Sequence, residues 1–275
     1  MGTTLTTLKT GRLNYVTVVA IEGYQYLLTD GSATAVATAW AGTDYAANTP
    51  LTGLELELQN RQSINPWSGL EGGGSGNATI TLFADATDRL GIDVARSNAG
   101  AETYLTSTLT RTTTTIPVYS TTGFPSSGEM WIGNECIEYS AIGATSFTAS
   151  VRGKYSPFGT SSTSSNPRFA QHHRAGFVDY SVNVEPAVTQ YRRSWNGAMV
   201  GIWLHRVSNP LLGTLDTKAQ AQCIYAGIID EPIDDPDRNA TVIKCVPFAE
   251  RIRSAVLFRD QWKAKIEPGM WVDAS

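Results

Sequence analysis

The chain has 275 residues, of which 41% are apolar and only 17% are charged, and its formal net charge is −4. A charged share below the usual value of about a quarter favours strands and turns over exposed helices. The length allows one large β domain or two domains. A mildly acidic balance without a clustered basic face argues against a nucleic-acid binder, so we expect no nucleic acid as a specific ligand.

The N-terminal stretch lacks the pattern of an export signal, which is a charged leader, an apolar run and a small-residue cleavage site. Its longest apolar run is Val18–Ile21. A membrane span needs roughly 18 apolar residues, so this run is far too short. We expect neither export nor membrane insertion.

The first hundred residues favour a β domain, because apolar residues recur with a period of two in short runs. The runs are LNYVTVVAI, YQYLLT, ATAVATAW, LELELQ and ATITLF. Asp30-Gly31 ends the second run and predicts a hairpin turn into the third. In LELELQ the leucines face one way and the glutamates the other, and in ATITLF we expect Ile80 and Leu82 to point inward.

Residues 114–176 contain several short strand-like runs separated by glycine, proline and serine. Apolar and polar residues alternate within each run, and Gly123-Phe124-Pro125, Gly133-Asn134 and Arg152-Gly153 lie where turns are expected. Alternation bounded by such residues is typical of half-buried strands. The segment is therefore predicted to be a compact antiparallel β unit.

Five short elements follow one another within residues 114–153: T-x-I-x-V, T-G-F-P-x-x-G, I-G-N-E-x-I-E-Y-S, F-T and R-G. This order resembles a small β module of tail-tip and baseplate proteins of tailed bacteriophages and gene-transfer agents. In such proteins the module is structural. The resemblance therefore implies no catalytic residues and no enzyme activity.

Strand-like runs resume after the polar stretch 160–166, and they are VDYSVNV, AMVGIWLHRV, CIYAGIID and ATVIKCVPF. The acidic, proline-containing residues 230–237 are interpreted as a rigid loop between strands. Apolar spacing of three and four predicts a helix over Pro247–Trp262. We expect a mainly β fold: an antiparallel barrel or sandwich (1–105 plus 180–275) with an inserted small β module (106–179) and one helix near the C-terminus.

No motif in the sequence predicts catalysis, a cofactor or a metal. The glycines of residues 69–76 lack the lysine of a phosphate-binding loop, and no nucleophile elbow occurs. Adjacent His172 and His173 would point to opposite faces of a strand, so a structural or solvent-facing role is favoured over a shared metal. Glu135 and Glu138 are three apart and would also face opposite sides.

The three cysteines, Cys136, Cys223 and Cys245, show no short metal-binding spacing. An odd number leaves at least one thiol unpaired. Cys223 and Cys245 lie in strand-like runs, where we expect buried free thiols. This favours folding in a reducing cytoplasm.

Two of the seven tryptophans, Trp67 and Trp195, are possible ligand or interface contacts, whereas the others favour core or interface burial. The resemblance implies a structural component of a phage-like tail tip, assembled in the host cytoplasm. It would dock on the tail tube, form a homo-oligomeric ring around its lumen, and contact other baseplate or tail-fibre proteins. The alternative is a carbohydrate- or receptor-binding tail protein, and a cell-wall hydrolase is a third class without a supporting motif.

Overall fold

The computed structural model describes residues 15–45, 54–58, 77–83, 100–159, 170–171, 173, 187–192, 195–209, 213–235 and 240–248. Within these ranges the chain is mainly β, and every strand pairing is antiparallel. The prediction of a mainly β, barrel-like or sandwich fold is therefore confirmed.

The described strands and the described helix have the following bounds in chain order. They are β1 (Tyr15–Ile21), β2 (Leu28–Thr29), α1 (Ala33–Ala39), β3 (Leu54–Leu58), β4 (Ala78–Phe83), β5 (Glu102–Tyr104), β6 (Thr115–Pro117), β7 (Gly128–Ile132), β8 (Glu135–Gly143), β9 (Ser146–Lys154), β10 (Ala187–Thr189), β11 (Met199–Asn209), β12 (Thr214–Leu215), β13 (Gln222–Asp235) and β14 (Ala240–Pro247).

Eight strands form the larger sheet in the order β2-β1-β11-β13-β14-β4-β3, and β12 pairs with part of β11. Alternate residues of the central strands face one apolar core because side chains on a strand alternate between faces. This core contains Val19, Ile21, Leu28, Ala78, Ile80, Trp195, Ala198, Val200, Ile202, Tyr225, Ile229, Ile243 and Cys245. Ile80 is fully buried and Leu82 packs against the same cluster, as their alternation predicts.

The six remaining strands form a second sheet in the order β5-β10-β7-β8-β9-β6. Its two ends meet, because Leu105 after β5 bridges to Val118 after β6. Tyr119 N–H donates to the carbonyl of Tyr104 at 3.1 Å and Thr106 N–H to that of Pro117 at 3.1 Å. The sheet is thus closed into a small barrel, which removes its free edges.

The barrel packs on the other face of the larger sheet, next to α1. Tyr155, just after β9, has a φ of +56°, which is unusual for a bulky residue. Three hydrogen bonds hold it there: its N–H donates to Asp44 at 3.1 Å, and its carbonyl accepts from Gly23 N–H at 3.0 Å and from the Tyr45 hydroxyl at 2.7 Å. The Tyr45 hydroxyl also donates to the carbonyl of Ile21 in β1, so it joins the two sheets.

The run ATAVATAW is a helix, so its interpretation as a strand is wrong. Alanine has the highest helix propensity, and the spacing of Val36, Ala39 and Trp40 places three buried side chains on one helix face. Asp30-Gly31 is therefore not a hairpin turn. Instead, the Asp30 carboxylate accepts the N–H of Thr17 at 2.7 Å just before the helix.

Residues 230–235 continue β13 and pair with β14, with a bulge between Ile229 and Glu231, so the expected loop at this place is wrong. Strands β5 and β10 pair in the barrel, although the boundaries at 105/106 and 179/180 assign both to the outer domain. Of the helix expected over Pro247–Trp262, all residues after Phe248 lie outside the described ranges.

Candidate functional site

The carboxylate of Glu135, the first residue of β8, has five hydrogen-bonding contacts. It follows the Gly133-Asn134 turn, and its side chain has 0% exposure. Two donors come from one guanidinium: Arg152 Nε donates to Oε1 at 2.7 Å and Nη2 to Oε2 at 3.1 Å. The N–H groups of Gly153 and Gln171 each donate at 3.0 Å, and His173 Nε2 lies 2.6 Å from Oε2.

Arg152 and Gly153, the R-G element near the end of β9, both serve this carboxylate. Gly153 has a φ of +64°, a left-handed conformation that glycine adopts without a Cβ clash. The remaining Arg152 N–H groups donate to three backbone carbonyls, those of Thr110, Thr113 and Gln171. The fork of a guanidinium suits such a bidentate carboxylate contact, and the pair fastens β8 to β9.

His173 occupies the structural position that the sequence favours for it, because it is buried beside Glu135 and its backbone bridges to Leu109. Burial alone would raise the pKa of Glu135. The hydrogen bonds from His173 and Arg152 outweigh that effect and lower the pKa below its ordinary value. The carboxylate is consequently held ionised. Glu138 lies elsewhere, beside Lys154, which agrees with the expected opposite faces.

A second buried acid, Glu22, is linked to the first through Gln171. The Gln171 side chain donates to Glu22 Oε1 at 2.9 Å, and Met199 N–H donates to Glu22 Oε2 at 3.0 Å. Arg192 donates to the backbone carbonyl of Glu22 and, at 2.8 Å, to the side chain of Asn134. Burial raises the pKa of Glu22 and lowers that of Arg192 to about 10. The network therefore ties the barrel to the end of β1.

A cleft of about 480 Å³ lies at a different place, where four segments meet. The four segments are α1 with the turn that follows it, strand β11, the loop after β9 and the loop after β12. The lining residues are Thr38, Ala39, Ala41, Thr43, Phe158, Gly159, Trp203, Thr217, Lys218, Ala219 and Ala221. The volume lies within the range of about 300–1,000 Å³ that is typical of small-molecule sites.

Lys218 is the cation that lines this cleft. Its Nζ donates to the carbonyl of Gly159 at 2.6 Å and lies 4.5 Å from the ring centre of Trp40 and 5.8 Å from that of Trp203. Among the described residues, no carboxylate forms a salt bridge with it. Burial lowers the pKa of Lys218 to about 8, against a smaller opposing effect of the Asp44 carboxylate. The cleft thus holds a poorly compensated ammonium group.

The aromatic wall of the cleft depends on close packing behind it. A Cβ on Gly201 would lie 2.9 Å from Trp203 Nε1, so glycine makes room for the indole. That Nε1 is buried without a hydrogen-bond acceptor in the described part of the chain. Trp40 Nε1 donates to His205 Nε2 at 2.9 Å. His205 Nδ1 therefore carries the proton and donates to the carbonyl of Asp216 at 2.8 Å.

Trp195 is 5% exposed and belongs to the core of the larger sheet, where its ring packs on Tyr24 and under the guanidinium of Arg192. Trp67 lies outside the described residues. Trp195 does not line the cleft, and the role of both tryptophans as ligand or interface contacts stays a prediction. The sequence does not indicate that Lys218 and Trp203 meet in a cleft, since its one signal is an aromatic residue in a strand-like run.

All three cysteines are free thiols, as predicted. Cys136 and Cys245 are buried, but Cys223 is exposed, so its predicted burial is wrong. Among the described residues, no three His, Cys, Asp or Glu side chains come together as a metal site would require. No helix in the described ranges is long and apolar enough to cross a membrane.

Compared with known proteins, the chain matches no protein-family model, no curated protein and no solved structure.

Proposed function

We propose that this chain is a structural component of a phage-like tail tip or baseplate, where it docks on the tail tube and forms a ring around its lumen. The observation that carries the proposal is the bond between the two most specific elements of the resemblance. Glu135 of IGNECIEY and Arg152 of R-G form a buried bidentate pair, and Gly153 adds a third bond. A buried ion pair between two strands supports a structural role for the motif.

An open sheet edge supports the assembly part of the proposal. In the described part of the chain, β3 pairs with β4 alone and ends the larger sheet. The opposite end is β2, which has only two residues and is therefore a short edge. Unpaired N–H and C=O groups along an edge strand are a template for another chain. Closing a ring of identical subunits would supply the partner.

The two sheets would have different roles in the assembly. The larger sheet forms the ring, and the closed barrel faces outward towards tail fibres or neighbouring baseplate proteins. The buried acids are then mechanical parts that keep the barrel fixed on the sheet, and the chain carries no catalytic function. Its place is the virion tail tip, after assembly in the host cytoplasm.

The oligomeric state tests the proposal. Sedimentation velocity and negative-stain microscopy at tens of micromolar should reveal a ring, or incorporation into a larger assembly once tail-tube protein is added. A species that stays monomeric under both conditions would refute the proposal.

Two proline variants locate the contact. Successive N–H groups of a strand point to opposite sides. Of the two variants Leu56→Pro and Glu57→Pro, one therefore loses an N–H that faces β4, and the other loses an N–H that faces outward. We expect the outward variant to keep the circular-dichroism spectrum and lose the ring. Retention of the ring by a folded outward variant would exclude β3 as the contact.

A second candidate function is a carbohydrate- or receptor-binding tail protein, and the aromatic cleft beside Lys218 favours it. Binding on a glycan array would support this candidate, and loss of binding in Trp67→Ala would assign it to the sequence segment that contains Trp67. An array without any signal would favour the scaffold.

A further inference from the structure

We propose that the cleft beside α1 binds a small ligand that carries a carboxylate on a ring, with the carboxylate paired to the ammonium of Lys218 and the ring against Trp203 and Phe158. The inference is independent of the scaffold role. If the ring is a sugar, the inference rests on the second candidate function and adds to it a site and the charge of the ligand. If the ring is aromatic, the inference stands by itself.

The ammonium group of Lys218 has unused hydrogen-bonding capacity. An ammonium has three donors, and in the described structure one of them is used, by the carbonyl of Gly159 at 2.6 Å. The faces of Trp40 and Trp203 attract the cation without neutralising it. A half-buried charge without a salt-bridge partner is costly, and a bound carboxylate would offset that cost through charge-assisted hydrogen bonds.

The shape of the cleft selects a ring as the body of the ligand. Trp203 and Phe158 form one wall, with ring centres 6.3 Å apart and planes at 51°. The cleft is also lined by four small side chains, which fill little of its volume (Ala39, Ala41, Ala219 and Ala221). The hydroxyls of the lining residues Thr38, Thr43 and Thr217 already donate within the protein and are left as acceptors, which suit the hydroxyl groups of a uronic acid. An aromatic carboxylate would use the ammonium group and the aromatic wall alone.

The lysines of the native protein provide a site-resolved test. A brief pulse of succinimidyl acetate near the pKa of Lys218, about 8, acetylates neutral amines, and peptide mass spectrometry reads each lysine separately. Benzoate and glucuronate are the probes, and benzamide and glucose are their uncharged matches. At a probe concentration about ten times its Kd, we expect acetylation of Lys218 to slow about tenfold, since only unoccupied sites react.

Two other lysines are internal controls. Lys244 lies on the exposed side of β14 and should react equally with and without probe. Lys154 donates to Glu129 at 2.7 Å and to Glu138, and these bonds raise its pKa despite burial, so it should react slowly throughout.

Each result decides one part of the inference. Protection by benzoate but not by glucuronate would support the site and exclude a uronic acid as its ligand. Protection by glucuronate would support both the site and a sugar ligand. Protection of Lys218 by neither probe at millimolar concentration, or equal protection by the uncharged matches, would overturn the proposal. Calorimetric titration with the protecting probe gives a second measurement: Lys218→Met should abolish binding, whereas Lys244→Met should retain it.

Discussion

Replacing Arg152 with methionine should destabilise the protein more than any comparable change on its surface. The substitution leaves the Glu135 carboxylate at 0% exposure without its bidentate partner, and it orphans three backbone carbonyls. Removing one member of a buried pair costs about 3–5 kcal/mol because the other charge stays buried and unpaired. For domains of roughly this size, each kcal/mol lowers Tm by about 2–4 °C, so the expected loss is roughly 6–20 °C.

The matched control is Arg206→Met. Arg206 also pairs with a carboxylate, that of Asp216 at 3.1 Å, but its side chain is 44% exposed. An exposed pair contributes about 0–1 kcal/mol, so this variant should unfold close to the wild type. Urea denaturation and thermal scans followed by circular dichroism give both values.

A double replacement distinguishes the charge from the packing. Glu135→Met with Arg152→Met removes both charges, and it should be less destabilising than the sum of the two single variants. A cost below about 1 kcal/mol for Arg152→Met would refute the reasoning, because the pair would then behave as an exposed one.

Two further predictions concern a histidine and the thiols. Burial lowers the pKa of His205, so as pH falls through its ordinary value of 6.5 the unfolded chain takes up the proton first and the free energy of unfolding should decrease, down to the lowered pKa of the folded state. A proton on His205 Nε2 would also face the N–H of Trp40, so the hydrogen bond between the two rings would be lost. Urea titrations over this pH range measure the decrease in the free energy of unfolding. Cys223 should react with Ellman's reagent in the native protein, whereas Cys136 and Cys245 should react only after unfolding, because both are buried and burial raises the pKa of Cys245 to about 12.

His205→Gln is the control for the pH dependence, since it should flatten the part of the curve between the two pKa values. An unchanged curve would exclude His205 as the titrating group. Rapid reaction of all three thiols in the folded protein would contradict the described core.

Period-two alternation was sufficient to predict β4 and β14, because each has one face against an apolar core. It was insufficient for ATAVATAW, where alanine and threonine satisfy both periods. The helix propensity of alanine and the spacing of the buried Val36, Ala39 and Trp40 favour the helix. Proline predicts a loop for the acidic residues after Ile229, yet here the strand continues past a bulge.

The bond between Glu135 and Arg152 could not be derived from spacing. Three register shifts interrupt the pairing of β8 with β9, so counting residues along a regular hairpin does not bring the two side chains together. The Lys218 cleft was equally hidden, because its walls come from segments that are far apart in the chain. Sequence alone indicated which residues could pack in strands, but not which charges would meet.

The pairing of β1 with β11 has a consequence for biosynthesis. Tyr15 lies opposite Arg206, so this strand pairing joins two distant parts of the polypeptide. At a translation rate of about 5–20 residues per second, roughly 10–40 s pass between the emergence of these two strands from the ribosome. During that interval the edge of β1 that later pairs with β11 stays open, because β2 pairs with the opposite edge. An unpaired strand edge of this kind makes a folding intermediate prone to aggregation.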